Sequence, residues 1–254
     1  MSKIVLIESS TALCSVALAI DGKCTAYRQS DAPRAHASLT APFVSEVLEE
    51  AGLKIKDCDA VALSSGPGSY TGLRVGSSTA KGLCFACGLP LISVSTLEVL
   101  VRQAIDAGAA EECSYIVPMI DARRMEVYSC IYSPSGEKLS EVEAVIVQED
   151  SYAEQLAQGK VLFVGDGADK CRPVLTSDNA LFMQTEPKAS AMAGLAQSAY
   201  EQQRFENCAY FEPCQHQYCE YATLLRNFLI SSAERGTNTV SPHIALPQHH
   251  MISR

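Results

Sequence analysis

Four glycines, Gly66, Gly68, Gly72 and Gly76, crowd into the stretch SSGPGSYTGLRVG at residues 64–76. Glycine-rich loops that open helices present backbone N–H groups to phosphate, so nucleotide binding is the first chemistry to test. A P-loop needs Gly, four residues, then Gly-Lys-Ser/Thr. Here Leu73 and Arg74 follow Gly72, and the spacing from Gly66 or Gly68 is wrong. The G-x-G-x-x-G fingerprint fails as well, because Thr71 stands where the third glycine belongs. Neither nucleotide pattern is met.

Other candidate groups are sparse. Cys84 and Cys87 form a C-x-x-C without a second pair or a nearby histidine, and two thiols do not complete a zinc site. His36, in APRAHAS, has Thr40 rather than a second histidine four residues on, and reads as a solvated loop histidine. VGDGADK (164–170) offers Asp166 and Asp169 as oxygen ligands for a hard cation, but a strand followed by Gly-Asp-Gly reads first as a turn. DARR (121–124) reads as a charge-paired strand connection, with a substrate clamp as the alternative. No catalytic residue, cofactor or metal is therefore expected.

The glycines have a different use if a helix begins near Ser69. Gly72, Gly76, Ala80 and Cys84 then recur every four residues and share one face, flanked by Leu73, Leu83 and Cys87. Such a bare face lets a second backbone come close. Two readings stay open: the face packs on the chain's own sheet, or it docks another subunit. The second makes Ser69, Gly72, Leu73, Gly76, Ala80, Leu83, Cys84 and Cys87 a partner interface. It also expects Gly76→Leu or Ala80→Arg to break pairing and leave the monomer folded.

The elements around this helix repeat. KIVLIE, a run from Cys14 to the Asp21-Gly22 turn, and a third run from Cys24 read as three strands, before a helix through Leu39, Phe43, Val47 and Leu48. DAVALSS and PLISVS are strands, and a helix starts at Leu97. From Ser114 the plan begins again. YIVPMI, MEVYSCIYS and EAVIV are strands, a helix covers 151–157, KVLFVG is a strand and two helical stretches follow. Three strands and then alternating helix and strand, twice over, make a duplicated α/β architecture with lobes at 1–103 and 104–213. Residues 214–254, polar and with little periodicity, are expected to form a divergent, poorly ordered tail.

Composition narrows the class. The chain has 254 residues, a hydrophobic content of 47% and a charged content of 19%, as ordinary globular proteins do. A net charge of −9 excludes a broad electrostatic grip on nucleic acid. MSKIVLIESS has too short an apolar run for a signal peptide, so a cytoplasmic protein with no membrane partner is expected, its eleven cysteines reduced.

Three segments, IESSTALCSVAL (7–18), LSSGPGSYTGLRVG (63–76) and PMIDARRMEVYSCIY (118–132), resemble the TsaB family, also called YeaZ. The likeness implies an actin-like two-lobed fold. It further implies a non-catalytic subunit for making N6-threonylcarbamoyladenosine at adenosine 37 of ANN-decoding tRNAs. The implied partners are a TsaD-type catalytic subunit and a TsaE-type ATPase, with a homodimer when TsaD is absent and tRNA met only through the complex. The helix starting near Ser69 is among the family's pairing elements. The alternative is an actin-like ATPase or small-molecule kinase, for which Glu8, Thr11 and Asp166 would handle phosphate and magnesium.

Overall fold

The computed structural model describes residues 1–33 and 36–214. Three apolar runs and the Asp21-Gly22 turn build the first antiparallel meander: β1 (Lys3–Glu8), β2 (Cys14–Ile20) and β3 (Lys23–Ser30). Asp21 (φ 47°) and Gly22 (φ 73°) both adopt positive φ, as a tight two-residue hairpin turn requires. Then come α1 (His36–Glu50), β4 (Ala60–Ser64), α2 (Tyr70–Cys87), β5 (Leu91–Val94) and α3 (Thr96–Asp106). The second half repeats the order with β6 (Tyr115–Asp121), β7 (Glu126–Ser129), β8 (Glu143–Ile146), α4 (Ala153–Gln158), β9 (Val161–Val164), α5 (Ala168–Cys171), β10 (Ala180–Met183) and α6 (Ala193–Glu201).

The two sheets have the same topology. Strands run in the order β3-β2-β1-β4-β5 in one and β8-β7-β6-β9-β10 in the other. In each, the first three strands are antiparallel and the last two join parallel to the first. Strand alternation serves both faces of each sheet. Val5 and Ile7 face Phe43, Val47, Ala80 and Cys84, while Ile4 and Leu6 face Ala193, Ala196 and Ala199 of α6. Ile116 and Ile120 likewise meet Leu97, Leu100 and Ala104 of α3, and Val117 and Met119 meet Ala168 and Cys171 of α5. Each such side chain, taken fully out of water, contributes roughly 1.5–3 kcal/mol.

Sequence order and packing therefore differ at two helices. α3 follows the first sheet but packs on the second, and α6 follows the second but packs on the first. The boundary at 103 lies inside α3. β10 is the strand that the sequence reading passed over. It has four residues, is half-exposed, and shows no alternation to mark it. Its identity comes from its parallel pairing with β9. Of the expected tail, Cys214 is described and donates its N–H to Ser65 O at 2.6 Å. Residues 215–254 lie outside the described residues. Among the described residues no helix is long and apolar enough to cross a membrane.

Candidate functional site

Gly68, Gly72 and Gly76, of α2 and its entry loop, are spent on the turn after β1. Ser69 caps the helix, its hydroxyl accepting from Gly72 N at 3.3 Å, and its own N–H donates to Ser10 O at 2.5 Å. Ser9 Oγ donates to Gly72 O at 2.9 Å. A methyl group at Gly68 would come within 2.3 Å of Ser10 O, one at Gly72 within 2.0 Å of Ser9 O, and one at Gly76 within 2.2 Å of Ser9 Oγ. Only bare backbone fits there.

This corrects the docking-strip reading for five of its eight residues. Gly72, Leu73, Gly76, Ala80 and Cys84 are buried inside the chain's own body, Leu73 and Ala80 completely. Ser69 is exposed, and Leu83 and Cys87 are half-buried. A leucine at Gly76 would have to push the Ser9 hydroxyl off Gly72 O inside this packed face, so Gly76→Leu bears on the monomer's own fold as well as on pairing. Burial also pushes the Cys84 thiol up to about 12, as suits a packing residue.

The turn thus sealed holds the acid and hydroxyls that a phosphate-handling reading would use. Glu8 is 0% exposed and Thr11 5%. Glu8 Oε1 accepts from Ser10 N at 2.7 Å and from Ser64 Oγ at 2.8 Å. Desolvation raises its pKa, against smaller opposing contributions from the hydrogen bonds of Ser10, Ser64 and Ser9. Glu8 Oε2, Ser10 Oγ and Thr11 Oγ1 are buried without partners among the described residues. All four residues of the turn, Glu8 to Thr11, are closed to solvent. His36 belongs here rather than in a solvated loop. It is the first residue of α1, is half-buried, and its Nε2 donates to Thr11 O at 2.9 Å.

The outer side of α2 is unlike the inner. Tyr70 is 49% exposed and Phe85 90%, with the Arg74 guanidinium 4.0 Å from the centre of the Tyr70 ring. Phe85 lies fifteen residues beyond Tyr70, which at 100° per residue returns it to the same side of the helix. The sequence reading placed Arg74 and Ser78 on this side but missed Phe85. A lone aromatic on the polar side of a helix was the available signal. Where Leu83 of α2 meets α1, a groove of about 400 Å³ is bounded by Val44, Leu48, Leu53, Ile55 and Leu83.

In the second sheet the turn after β6 has the same start. Asp121 ends β6 as Glu8 ends β1, and its Oδ1 accepts the N–H of Arg123, two residues on, at 2.7 Å. Lys170 pairs with Asp121 and donates to Glu126 O at 2.6 Å, which makes DARR the charge-paired connection expected. Arg123 (φ 75°) and Arg124 (φ 49°) both occupy left-handed backbone, at a cost of about 1–3 kcal/mol each. Gly165–Gly167 is the turn expected, packed so closely on β6 that a methyl at Gly165 would meet Met119 O at 2.1 Å.

Asp166 accepts Asp121 N at 3.0 Å, and burial pushes its pKa up to about 6. A carboxyl whose folded pKa exceeds its unfolded value gives stability that is present at low pH and lost as pH rises. Asp166 should therefore lower stability progressively from about pH 4 to about pH 6 and not further above. Asp166→Asn is expected to remove that slope, as thermal melts across pH 3.5–7.5 would show. Among the described residues no three His, Cys, Asp or Glu side chains group as metal ligands.

Two mixed sheets of one topology, exchanging helices α3 and α6, define a duplicated actin-like α/β protein. A family model described as TsaD, tRNA N6-adenosine threonylcarbamoyltransferase, matches residues 29–225. The tRNA threonylcarbamoyladenosine biosynthesis protein TsaB of Escherichia coli is 35% identical over 169 residues, 65% of this chain and 71% of that one. TsaB of Haemophilus influenzae is 40% identical over 122 residues, and there this chain spans half of its relative's length. The solved structure of YeaZ from Pseudomonas aeruginosa superposes with a TM-score of 0.72 at 27% identity, over 84% of this chain and 99% of that one. The chain belongs to the TsaB (YeaZ) family.

Proposed function

We propose that this chain serves the formation of N6-threonylcarbamoyladenosine in tRNA as a non-catalytic cytoplasmic subunit, pairing through the outer side of α2 with a TsaD-type catalytic subunit. A TsaE-type ATPase joins the pair, and a homodimer forms through the same helix when TsaD is absent. The pathway rests on the names of the relatives. The division of labour rests on one observation: α2 closes its glycine side over Ser9 and Ser10 and leaves Phe85 90% exposed on the other. With Glu8–Thr11 buried, the arrangement supports docking over turnover.

The test is co-purification with a TsaD-type subunit and reconstitution of threonylcarbamoylation with and without this chain. Phe85→Asp is expected to weaken pairing roughly tenfold or more, as loss of a central aromatic anchor does. Its melting temperature should stay that of the parent, because the ring contributes little to the chain's own core. Pairing that survives Phe85→Asp unchanged would remove α2 from the interface. Rapid ATP hydrolysis by the isolated chain would overturn the non-catalytic role.

A further inference from the structure

The turns after β1 and β6 occupy equivalent places in two sheets of the same topology, yet only the first is covered. An eighteen-residue helix, α2, and its entry loop lie over Ser9 and Ser10. Its counterpart after β9 is α5, four residues long, which packs beneath β6 through Ala168 and Cys171. The β6–β7 hairpin is consequently open, and Arg123 and Arg124 at its tip are exposed. The hairpin is firmly built all the same. Ala122 N donates to Glu126 O and Glu126 N to Arg123 O, each at 3.1 Å, while Lys170 grips Asp121 and Glu126 O from below.

The two aspartates near the tip are engaged by these contacts. Asp121 is neutralised by Lys170 and Asp166 is occupied by Asp121 N, while Glu126 enters the turn through its backbone alone. Neither arginine pairs with a carboxylate among the described residues. A chain of net charge −9 thus holds two unpaired guanidinium groups side by side, on backbone that glycine or asparagine would adopt with less strain. Planar guanidinium forks match phosphate oxygens two at a time. We propose that Arg123 and Arg124 contact the phosphate backbone of RNA, a direct contact by this chain within the assembly. The choice of RNA over an acidic protein surface rests on the function proposed above.

The experiment uses the full chain assembled with the TsaD-type subunit, titrating an unmodified ANN-decoding tRNA against salt. Arg123→Ala/Arg124→Ala is expected to leave assembly intact and to weaken tRNA binding about tenfold. The slope of log affinity against log salt should flatten by about one to two, the loss of two phosphate contacts. Lysine at both positions should restore the salt slope but only part of the affinity, because the charge returns without the two-pronged fork. Arg124→Gly separates strain from binding: it relieves the left-handed residue, so its melting temperature should hold or rise while tRNA affinity falls. Unchanged affinity and salt slope in an intact assembly would overturn the proposal. So would loss of assembly in the double variant, which would make the hairpin a protein contact. If the parent chain itself fails to assemble, the functional reading fails, and the same titration on the chain alone at low salt decides between RNA contact and none.

Discussion

Gly72→Ala will cost this protein roughly 3 kcal/mol, while Gly82→Ala on the same helix will stabilise it by up to about 1 kcal/mol. Both glycines are interior to α2, and in an isolated helix each exchange would help, since alanine has less backbone freedom to lose. The surroundings set the sign. A methyl at Gly72 would sit 2.0 Å from Ser9 O, a backbone atom held by the β1–β2 connection, whereas Gly82 has nothing within 4 Å. The helix must move away from the turn to admit the methyl, and it would then lose the bonds from Ser69 N to Ser10 O and from Ser9 Oγ to Gly72 O. At about 2–4 °C per kcal/mol for a chain of this size, the two melting temperatures should part by some 8–16 °C. Equal shifts in both variants would mean that the contact with Ser9 does not constrain α2.

The same helix shows what could be read from the sequence and what could not. Strands such as KIVLIE and the Asp21-Gly22 turn announce themselves, because a short continuous apolar run and a positive φ are demands met locally. The four-residue spacing of Gly72, Gly76, Ala80 and Cys84 was equally legible as a bare face. What the face touches was not, for Ser9 lies sixty-three residues from Gly72 and only the parallel pairing of β1 with β4 brings them together. For the same reason the packing of α3 and α6 on each other's sheets leaves no trace in their periodicity. An amphipathic helix specifies that it will be covered, not by which sheet. β10 was lost because a half-exposed four-residue strand carries too few alternations to register. His36 was misplaced because its partner, Thr11 O, is a backbone atom and has no side-chain signature.

Glu8 gives the second large effect, and its sign depends on the replacement. In Glu8→Ala, Ser10 N–H and the Ser64 hydroxyl lose the oxygen that both bond, at the fully buried end of β1. Stranded donors and the space left by four missing side-chain atoms beyond Cβ should together cost roughly 3–5 kcal/mol. Glu8→Gln keeps Oε1 as a carbonyl acceptor and surrenders only Oε2, which has no partner among the described residues. Its effect on stability should be small near pH 4.5 and should favour the variant as pH rises. Desolvation holds the folded carboxyl above its ordinary value of 4.5, so the native state binds more protons than the unfolded chain once the pH exceeds that value. Stability of the parent must then decline with rising pH until the folded carboxyl itself ionises, whereas glutamine has no proton to lose. Denaturant titrations of parent and Glu8→Gln at pH 4.5, 6 and 8 should show the gap between them widening in favour of glutamine. A constant gap would mean that Glu8 is ionised in the folded protein, with charge stabilised by a partner inside the turn that α2 closes.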